Sequence, residues 1–543
     1  MRTSLVTLLH FGALYISFTA AGPHHPHPRC EIPSLIDATA EELQKGLSKG
    51  CFTSVDLVNA YVARSNDVNA TVRAVTEFNP DVIKIAKQMD RERKAGRSRG
   101  PLHGLPILLK NNIATLDKMT STAGSYALLG ARPPTDATIV SKLRNAGVII
   151  LGKVGASQWA NFRSMNGTSG WSAYGDQVKG AYWVDQDPSG SSSGSGVASD
   201  LGLAFAAIGT ETSGSIVVPS EKNNVVGIKP TVGLTSRHMV VPISEHQDTI
   251  GPMARTVKDA AFILEAIAGV DKYDNYTSAI PFKRIPQYSK ACKAGALRGK
   301  RIGVPRNVIN FYRIPEHVVK AFNASLATME KAGAVIVENT DFTGFEEYSQ
   351  SSDPWNALFA DFLSNIATFL SKLSVNPNNL KNLEDVRKFT QNHPLEAYPN
   401  RDTGVWDMSI EQGIHNTDPA FWPKYQKILY FGGEGGVLGA LKRHKLDAIV
   451  LPTEYAYEIP GLVGAPLITV PMSSWPEGTP VIREPRGELV VRNPNLPIGI
   501  SFLGDLWSEE KLIGIAYAYE QKTKVRPTIK RYITPKSQLK DVM

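Results

Sequence analysis

SGSSSGSG at residues 189–196 and GTETSGSIVVP at residues 209–219 are the two stretches that decide the fold. The first has the composition of a flexible linker. Its surroundings favour an ordered loop, because residues 197–208 follow at once with Leu201, Leu203, Phe205 and Ile208 apolar. A loop dense in serine and glycine offers hydroxyls, free backbone N–H groups and unusual φ/ψ. Those are the materials of a nucleophile and an oxyanion site. A phosphate-cradling loop is the rival. The run Gly194-Ser195-Gly196-Val197-Ala198-Ser199 lacks the third glycine of a dinucleotide fingerprint, and no Gly-Lys-Ser/Thr follows.

Outward from these loops the chain alternates helical and strand patterns. Thr53 is placed to cap a helix whose apolar face is Val55, Leu57, Val58, Tyr61 and Val62. Residues 102–110 read as a turn and a buried strand, with Pro106 at its start and Lys110 at its end. Thr135 is expected to cap a helix carrying Ile139, Val140 and Leu143, closed by Gly147 and followed by a strand at 148–151. Thr256 caps another through Val257, Ala260, Ile263, Leu264 and Ile267. Strands are expected at 300–304, 334–337, 446–451 and 467–470, and helices at 318–331 and 509–521. Residues 353–426, rich in aromatics and helix formers, read as a helical insertion over a site. A helix followed by a short buried strand is the rhythm of an α/β protein with a largely internal sheet.

The 543 residues have an ordinary globular composition, 42% hydrophobic and 20% charged. The net charge of +8 comes from scattered Lys and Arg, which argues against a nucleic-acid stripe. Arg2, the apolar residues 5–18 and Thr19-Ala20-Ala21 make up a signal peptide over residues 1–21, and so predict a secreted, extracellular protein. The apolar stretch is broken by His10 and Ser17 and is short for a membrane anchor, and no later segment is long and apolar enough to span. Residues 22–32 read as a His/Pro-rich leader without the ligand spacing of a structural metal site. The folded domain is then 33–543. Sequons at Asn69, Asn166, Asn275 and Asn323 agree with secretion. Of Cys30, Cys51 and Cys292, two can form a disulfide in an oxidising compartment. Cys30 with Cys51 is one such pairing, and the sequence does not choose.

The run from Asp187 to Ser195 (DPSGSSSGS), then residues 209–216 (GTETSGSI) and 226–231 (VGIKPT), resembles the amidase signature family. Upstream, GLPILLKNN at 104–112 resembles that family's lysine strand, and residues 121–124, 146–153, 248–253, 447–453 and 497–504 fit it as well. The likeness runs from about Leu43 to Gln521 and is to secreted fungal-type members. It implies one large α/β domain, a central mixed β-sheet covered by helices on both sides, with no metal and no cofactor. Carried over residue by residue, it puts the nucleophile on Ser215, the relay serine after a cis peptide bond on Ser191, and the base on Lys110. The oxyanion-hole N–H groups fall on residues 212–215, and Ser192 joins Thr212, Ser213 and Gly214 as a substrate-binding position.

The chemistry of these side chains agrees with that assignment. A serine hydroxyl needs a base at neutral pH, and lysine serves only when neutral, a state that burial favours. Lys110 follows Ile107-Leu108-Leu109, which predicts a dry setting. A second serine can pass the proton and then help protonate a leaving amine. The expected reaction is hydrolysis of a carboxamide C–N bond in a small-molecule or peptide amide. An esterase or an amide-forming acyltransferase would use the same site, and an inactive secreted binding protein would keep only the fold. His238, His246 and Asp248 invite a Ser-His-Asp reading instead. The sequence departs from the family at Gly155, Gln158, Ser189, Ser213 and Val217. Ser189 must avoid positive φ or accept strain. Tyr398, Trp406, Phe421 and Trp422 are candidates for an apolar acyl pocket or for core, and residues 432–436 (GGEGG) for a hinge or a close backbone approach.

Overall fold

The structure is a computed structural model that describes residues 30–543, so the expected signal peptide and residues 22–29 of the leader lie outside the described residues. Among the described residues, fifteen strands follow in chain order: β1 (Val75–Phe78), β2 (Pro106–Lys110), β3 (Ile149–Val154), β4 (Trp171–Ser172), β5 (Asp176–Gln177), β6 (Ala206–Glu211), β7 (Val226–Lys229), β8 (Thr249–Ala254), β9 (Arg301–Val304), β10 (Val335–Glu338), β11 (Ala448–Pro452), β12 (Leu467–Ser474), β13 (Ile482–Arg483), β14 (Val490–Arg492) and β15 (Pro497–Leu503). Eleven of them form one sheet in the order β1-β3-β2-β6-β8-β7-β12-β15-β11-β9-β10, while β4 with β5 and β13 with β14 make small hairpins.

The sheet is mixed. β3, β2 and β6 are mutually parallel, as are β11, β9 and β10, and the strands between these groups pair antiparallel. Every residue of β2, β3, β6, β8, β11 and β15 is buried. Burial on both faces is why these strands read as unbroken apolar runs rather than as alternation. Helices pack against the sheet: Ser193–Asp200 lies on β2, β6 and β8, Val257–Ile267 on β8, and Glu509–Thr523 on β12 and β15.

Most helix signals are met. Thr53 and Thr256 cap Ser54–Val72 and Val257–Ile267 through their hydroxyls. Thr135 does not cap. The helix starts at Thr138 after Ala137, and the Thr135 hydroxyl lies 3.2 Å from His238 Nε2. The Thr135 hydroxyl is thus engaged away from the helix, and Ala137, which has no side-chain acceptor, stands at its N-cap. The serine-rich loop is not a linker. It leads into Ser193–Asp200, where Gly194 and Gly196 let backbones touch: a Cβ on Gly194 would lie 2.5 Å from Gly155 O, and one on Gly196 2.8 Å from Pro219 O. The same crowding explains Gly155, whose Cβ would meet Val178 at 2.8 Å.

Cys30 and Cys51 are disulfide-bonded, and Cys292 is free. The bond ties the last part of the leader to the turn between helices Ala40–Ser48 and Ser54–Val72. Residues 432–436 are a close packing point rather than a loose hinge, because a Cβ on Gly436 would meet Phe431 O at 2.1 Å.

Candidate active site

The register of the sheet builds the site. β2 and β6 are parallel neighbours with Leu109 opposite Ile208, so their carboxyl ends share one edge. Lys110 ends β2, and Glu211 ends β6. The loop 212–216 then turns back into helix Val217–Lys222. Helix Ser193–Asp200 packs on both strands and delivers the residues before its own start, 189–192, to the same edge.

Lys110 is fully buried. Its Nζ lies 2.6 Å from Ser191 Oγ, 2.9 Å from Thr210 Oγ1 and 3.3 Å from Thr210 O. Burial pulls its pKa down to about 7, against the opposing fields of Asp248 and Glu211. A neutral amine has two N–H groups and one lone pair. Thr210 can take both N–H groups, which leaves the lone pair to accept the proton of Ser191. Asn112 Nδ2 donates to Thr210 Oγ1 at 3.1 Å and fixes that rotamer. Thr210 and Asn112 were not singled out in the sequence, although both sit inside its matching motifs.

The peptide bond before Ser191 is cis. Ser189 adopts φ of 58°, so a side chain is carried in the left-handed region. Its own backbone N–H donates to Asp187 Oδ1 at 2.7 Å, and its carbonyl accepts from the Ser193 hydroxyl. These contacts hold the loop from both ends.

Ser215 is 8% exposed and lines a cavity of about 340 Å³. Its hydroxyl makes no hydrogen bond among the described residues and is open to an incoming carbonyl. Catalytic hydrogen bonds that are long or absent in a free enzyme tighten once substrate is bound. The loop around it is shaped by one buried carboxylate. Glu211 accepts from the backbone N–H of Gly214 (3.0 Å), Ile216 (2.6 Å) and Val217 (3.0 Å). This corrects the expected oxyanion hole, since the Gly214 N–H is already committed. The N–H groups of Thr212, Ser213 and Ser215 have no partner among the described residues. Ser192 is also not a substrate contact. It is fully buried, its hydroxyl donates to Thr210 O, and its N–H bonds Ser215 O, so it braces the two loops.

Glu211 carried no sequence signal as a loop organiser. Glu211→Gln presents an amide N–H₂ to donors that need an acceptor. It is expected to cost roughly 2 kcal/mol of stability and to lower kcat, read by thermal unfolding and ammonia release. An unchanged melting temperature would show that the carboxylate does not hold the loop.

The histidine reading fails on geometry. His246 Nδ1 faces Asp361 at 2.9 Å, and His238 stacks on Tyr273, so neither hydrogen-bonds a site serine. Asp248 instead accepts the Thr212 hydroxyl at 2.6 Å and the Ile243 N–H at 2.8 Å. Burial raises its carboxyl to about 6. Glu245, His246 and Asp361 come together with Asn416 and Ser244 in one hydrogen-bonded group, which pins the loop 242–248 to helix Asp353–Ser371.

That helix is the cover expected over the site, and Pro354, Trp355 and Leu358 line the cavity from it. Of the four aromatics that the sequence left open between pocket and core, none lines it. Trp406 and Phe421 are core, while Tyr398 and Trp422 are exposed elsewhere. Trp406 donates to Phe162 O and packs edge-on to Trp159, so it supports the wall from behind. The cavity uses Phe162, Tyr348, Trp355 and Tyr457 instead. Of the remaining departures, Gln158 bonds Glu396 and Arg163 in a buried network, and Val217 opens the helix that Glu211 caps. Asn166, Asn275 and Asn323 are exposed. Asn69 is half-buried, with its amide donating to Val75 O.

The "Amidase" family model matches residues 56–513. The chain is 63% identical to a putative amidase of Arthroderma benhamiae over 95% of this chain and 90% of that protein. It is 35% identical to a probable amidase of Arabidopsis thaliana, over 91% of each. Among solved structures it is similar to the native peptide amidase from Stenotrophomonas maltophilia, with a TM-score of 0.82 and 36% identity over 94% of this chain and 100% of that one. A peptide amidase complex with the competitive inhibitor chymostatin gives the same TM-score at 37% identity, over 91% and 99%. The mixed sheet, the serine-rich loops at its edge and these matches lead to one conclusion: the chain belongs to the amidase family and is a hydrolase of C–N bonds in linear amides.

Proposed function

We propose that Ser215 attacks the amide carbonyl, that Ser191 relays its proton, and that neutral Lys110 is the base. The observation that carries this reading is the 2.6 Å contact between a fully buried Lys110 Nζ and Ser191 Oγ. Attack forms the Ser215 Oγ–C bond and an oxyanion, for which the partnerless N–H groups of Thr212, Ser213 and Ser215 are the proposed donors. The proton on Lys110 and Ser191 returns to the leaving nitrogen as the C–N bond breaks. Water then adds to the acyl-enzyme by the same relay and releases the acid.

The substrate we propose is the terminal carboxamide of a short peptide or a small-molecule analogue. The likeness to peptide amidases and a cavity of about 340 Å³ beside Ser215 support it. We also infer that the protein is secreted and carries glycans at Asn166, Asn275 and Asn323. The leader, the exposure of these three residues and the Cys30–Cys51 disulfide support that reading. Loss of mass on treatment with an N-glycosidase tests it; no loss would remove the glycan assignment.

The lysine mechanism has a pH signature. Lys110 must be neutral to act, and its pKa stands at about 7. kcat/KM is therefore expected to rise with pH through about 7. Asp248, ionising near 6, raises the lysine's pKa by its charge. Asp248→Asn removes that charge and is expected to move the midpoint to lower pH. A wild-type profile flat from about pH 5 to 9 would exclude a titrating lysine as base.

A further inference from the structure

Among the described residues that line the cavity beside Ser215, Glu458 is the one charged side chain. It stands directly after Tyr457, whose ring packs on the nucleophile loop: a Cβ on Gly214 would lie 3.0 Å from it. Glu458 is half-buried, and no Lys, Arg or His pairs with it among the described residues. One of its oxygens is held from two sides. Tyr312 OH donates to Oε2 at 2.7 Å and Tyr348 OH donates to the same atom at 3.1 Å. The other oxygen, Oε1, takes no hydrogen bond among the described residues. Burial and the neighbouring carboxylate raise both tyrosine pKa values, which keeps the phenols as donors. Trp355, Tyr348 and Tyr457 supply aromatic surface to the same cavity.

A carboxylate without a cation, fixed by two phenols and surrounded by ring faces, suits a positive group. We propose that Glu458 determines specificity by pairing with an ammonium or guanidinium on the acyl portion of the amide substrate. This rests on the amidase reading of Ser215 and adds the charge of the substrate to it. The cation can be the N-terminal ammonium of a short peptide amide or a basic side chain, both with the same chemistry. The aromatic faces favour such a cation once it is desolvated, and the carboxylate repels acidic acyl groups.

The test compares matched amides by ammonia release from the wild-type protein and Glu458→Gln. N-acetyl-lysinamide against N-acetyl-norleucinamide reads a side-chain cation, and alanyl-leucinamide against its N-acetylated form reads the N-terminal one. The wild type is expected to prefer the cationic member of at least one pair by about tenfold or more in kcat/KM. Glu458→Gln is expected to erase that preference and to leave the neutral members within about twofold. A purely structural role would lower cationic and neutral substrates together, and that result overturns the proposal. So does equal cleavage of both pairs by the wild type, which leaves the amidase reading intact. No ammonia from any of the four overturns both. Should Glu458→Gln not fold, inhibition of the wild type decides. Pentylamine is expected to compete about tenfold more strongly than pentanol, and equal inhibition overturns the proposal.

Discussion

Lys110→Met is expected to abolish amide hydrolysis and to raise the melting temperature at pH 7. Both effects come from the burial of an ionisable amine, which in the proposed mechanism acts only when neutral. In the unfolded chain a lysine holds its proton up to the ordinary value of 10.5, whereas in the fold it loses it at about 7. Folding at pH 7 therefore carries a penalty of roughly 4 kcal/mol for this side chain. The sign follows from a lysine whose folded pKa is depressed. Wild-type stability falls as pH drops from about 10.5 to about 7 and is level below that. Methionine fills similar volume without a charge. It removes the penalty, less the cost of leaving Thr210 O and Oγ1 without the lysine donor. The gain in melting temperature is expected to be a few degrees at pH 7 and to vanish near pH 10.5. Lys110→Arg, charged at every accessible pH, is expected to be inactive and less stable than wild type. Calorimetry and ammonia release on the three proteins check this. An active Lys110→Met variant would end the lysine mechanism.

Ser215→Ala is expected to lower kcat by roughly 10⁴-fold or more while leaving the unfolding transition unchanged. The activity loss follows, in the proposed mechanism, from removal of the atom that forms the acyl-enzyme bond. The unchanged stability follows from geometry, since the Ser215 hydroxyl makes no hydrogen bond among the described residues and faces the cavity. Ser191→Ala differs on the second count, because it strips Lys110 Nζ of a buried partner at 2.6 Å. Labelling with a fluorophosphonate, mapped by mass spectrometry, is expected to modify Ser215 in the wild type and nothing in Ser215→Ala. Modification at another serine would move the nucleophile.

The three side chains proposed for the chemistry were legible because each is encoded locally. Lys110 follows a short apolar run with Pro106 at its start, which reads as a buried strand, and the two serines lie in short Ser/Gly loops between ordered elements. The oxyanion region was only half legible. Serine and glycine at 212–215 signalled a loop with free N–H groups, but which of them stay free depends on where the Glu211 carboxylate turns. That is set by the end of β6 and the start of the next helix, not by the tetrapeptide. The substrate cavity was the least legible part. The sequence left four aromatics of the later insertion open between pocket and core, and Trp406 and Phe421 are core. Apolar character alone does not separate a core ring from a pocket ring, because both are removed from water.

The amino-acid sequence by itself determined six of the strands, β2, β3 and β9 to β12, the capped helix starts at Thr53 and Thr256, the burial of Lys110 and the family to which the chain belongs. These depend on local periodicity, capping hydroxyls and contiguous motifs, which act over a few residues. Tertiary structure alone decided the Cys30–Cys51 pairing, the bracing role of Ser192, the commitment of Gly214 to Glu211 and the placing of Glu458, without a cation among the described residues, beside Ser215. The last of these joins residues more than two hundred positions apart across an eleven-stranded sheet whose order departs from the sequence. Contacts of that kind follow from which strands become neighbours, and short-range pattern carries no record of that choice.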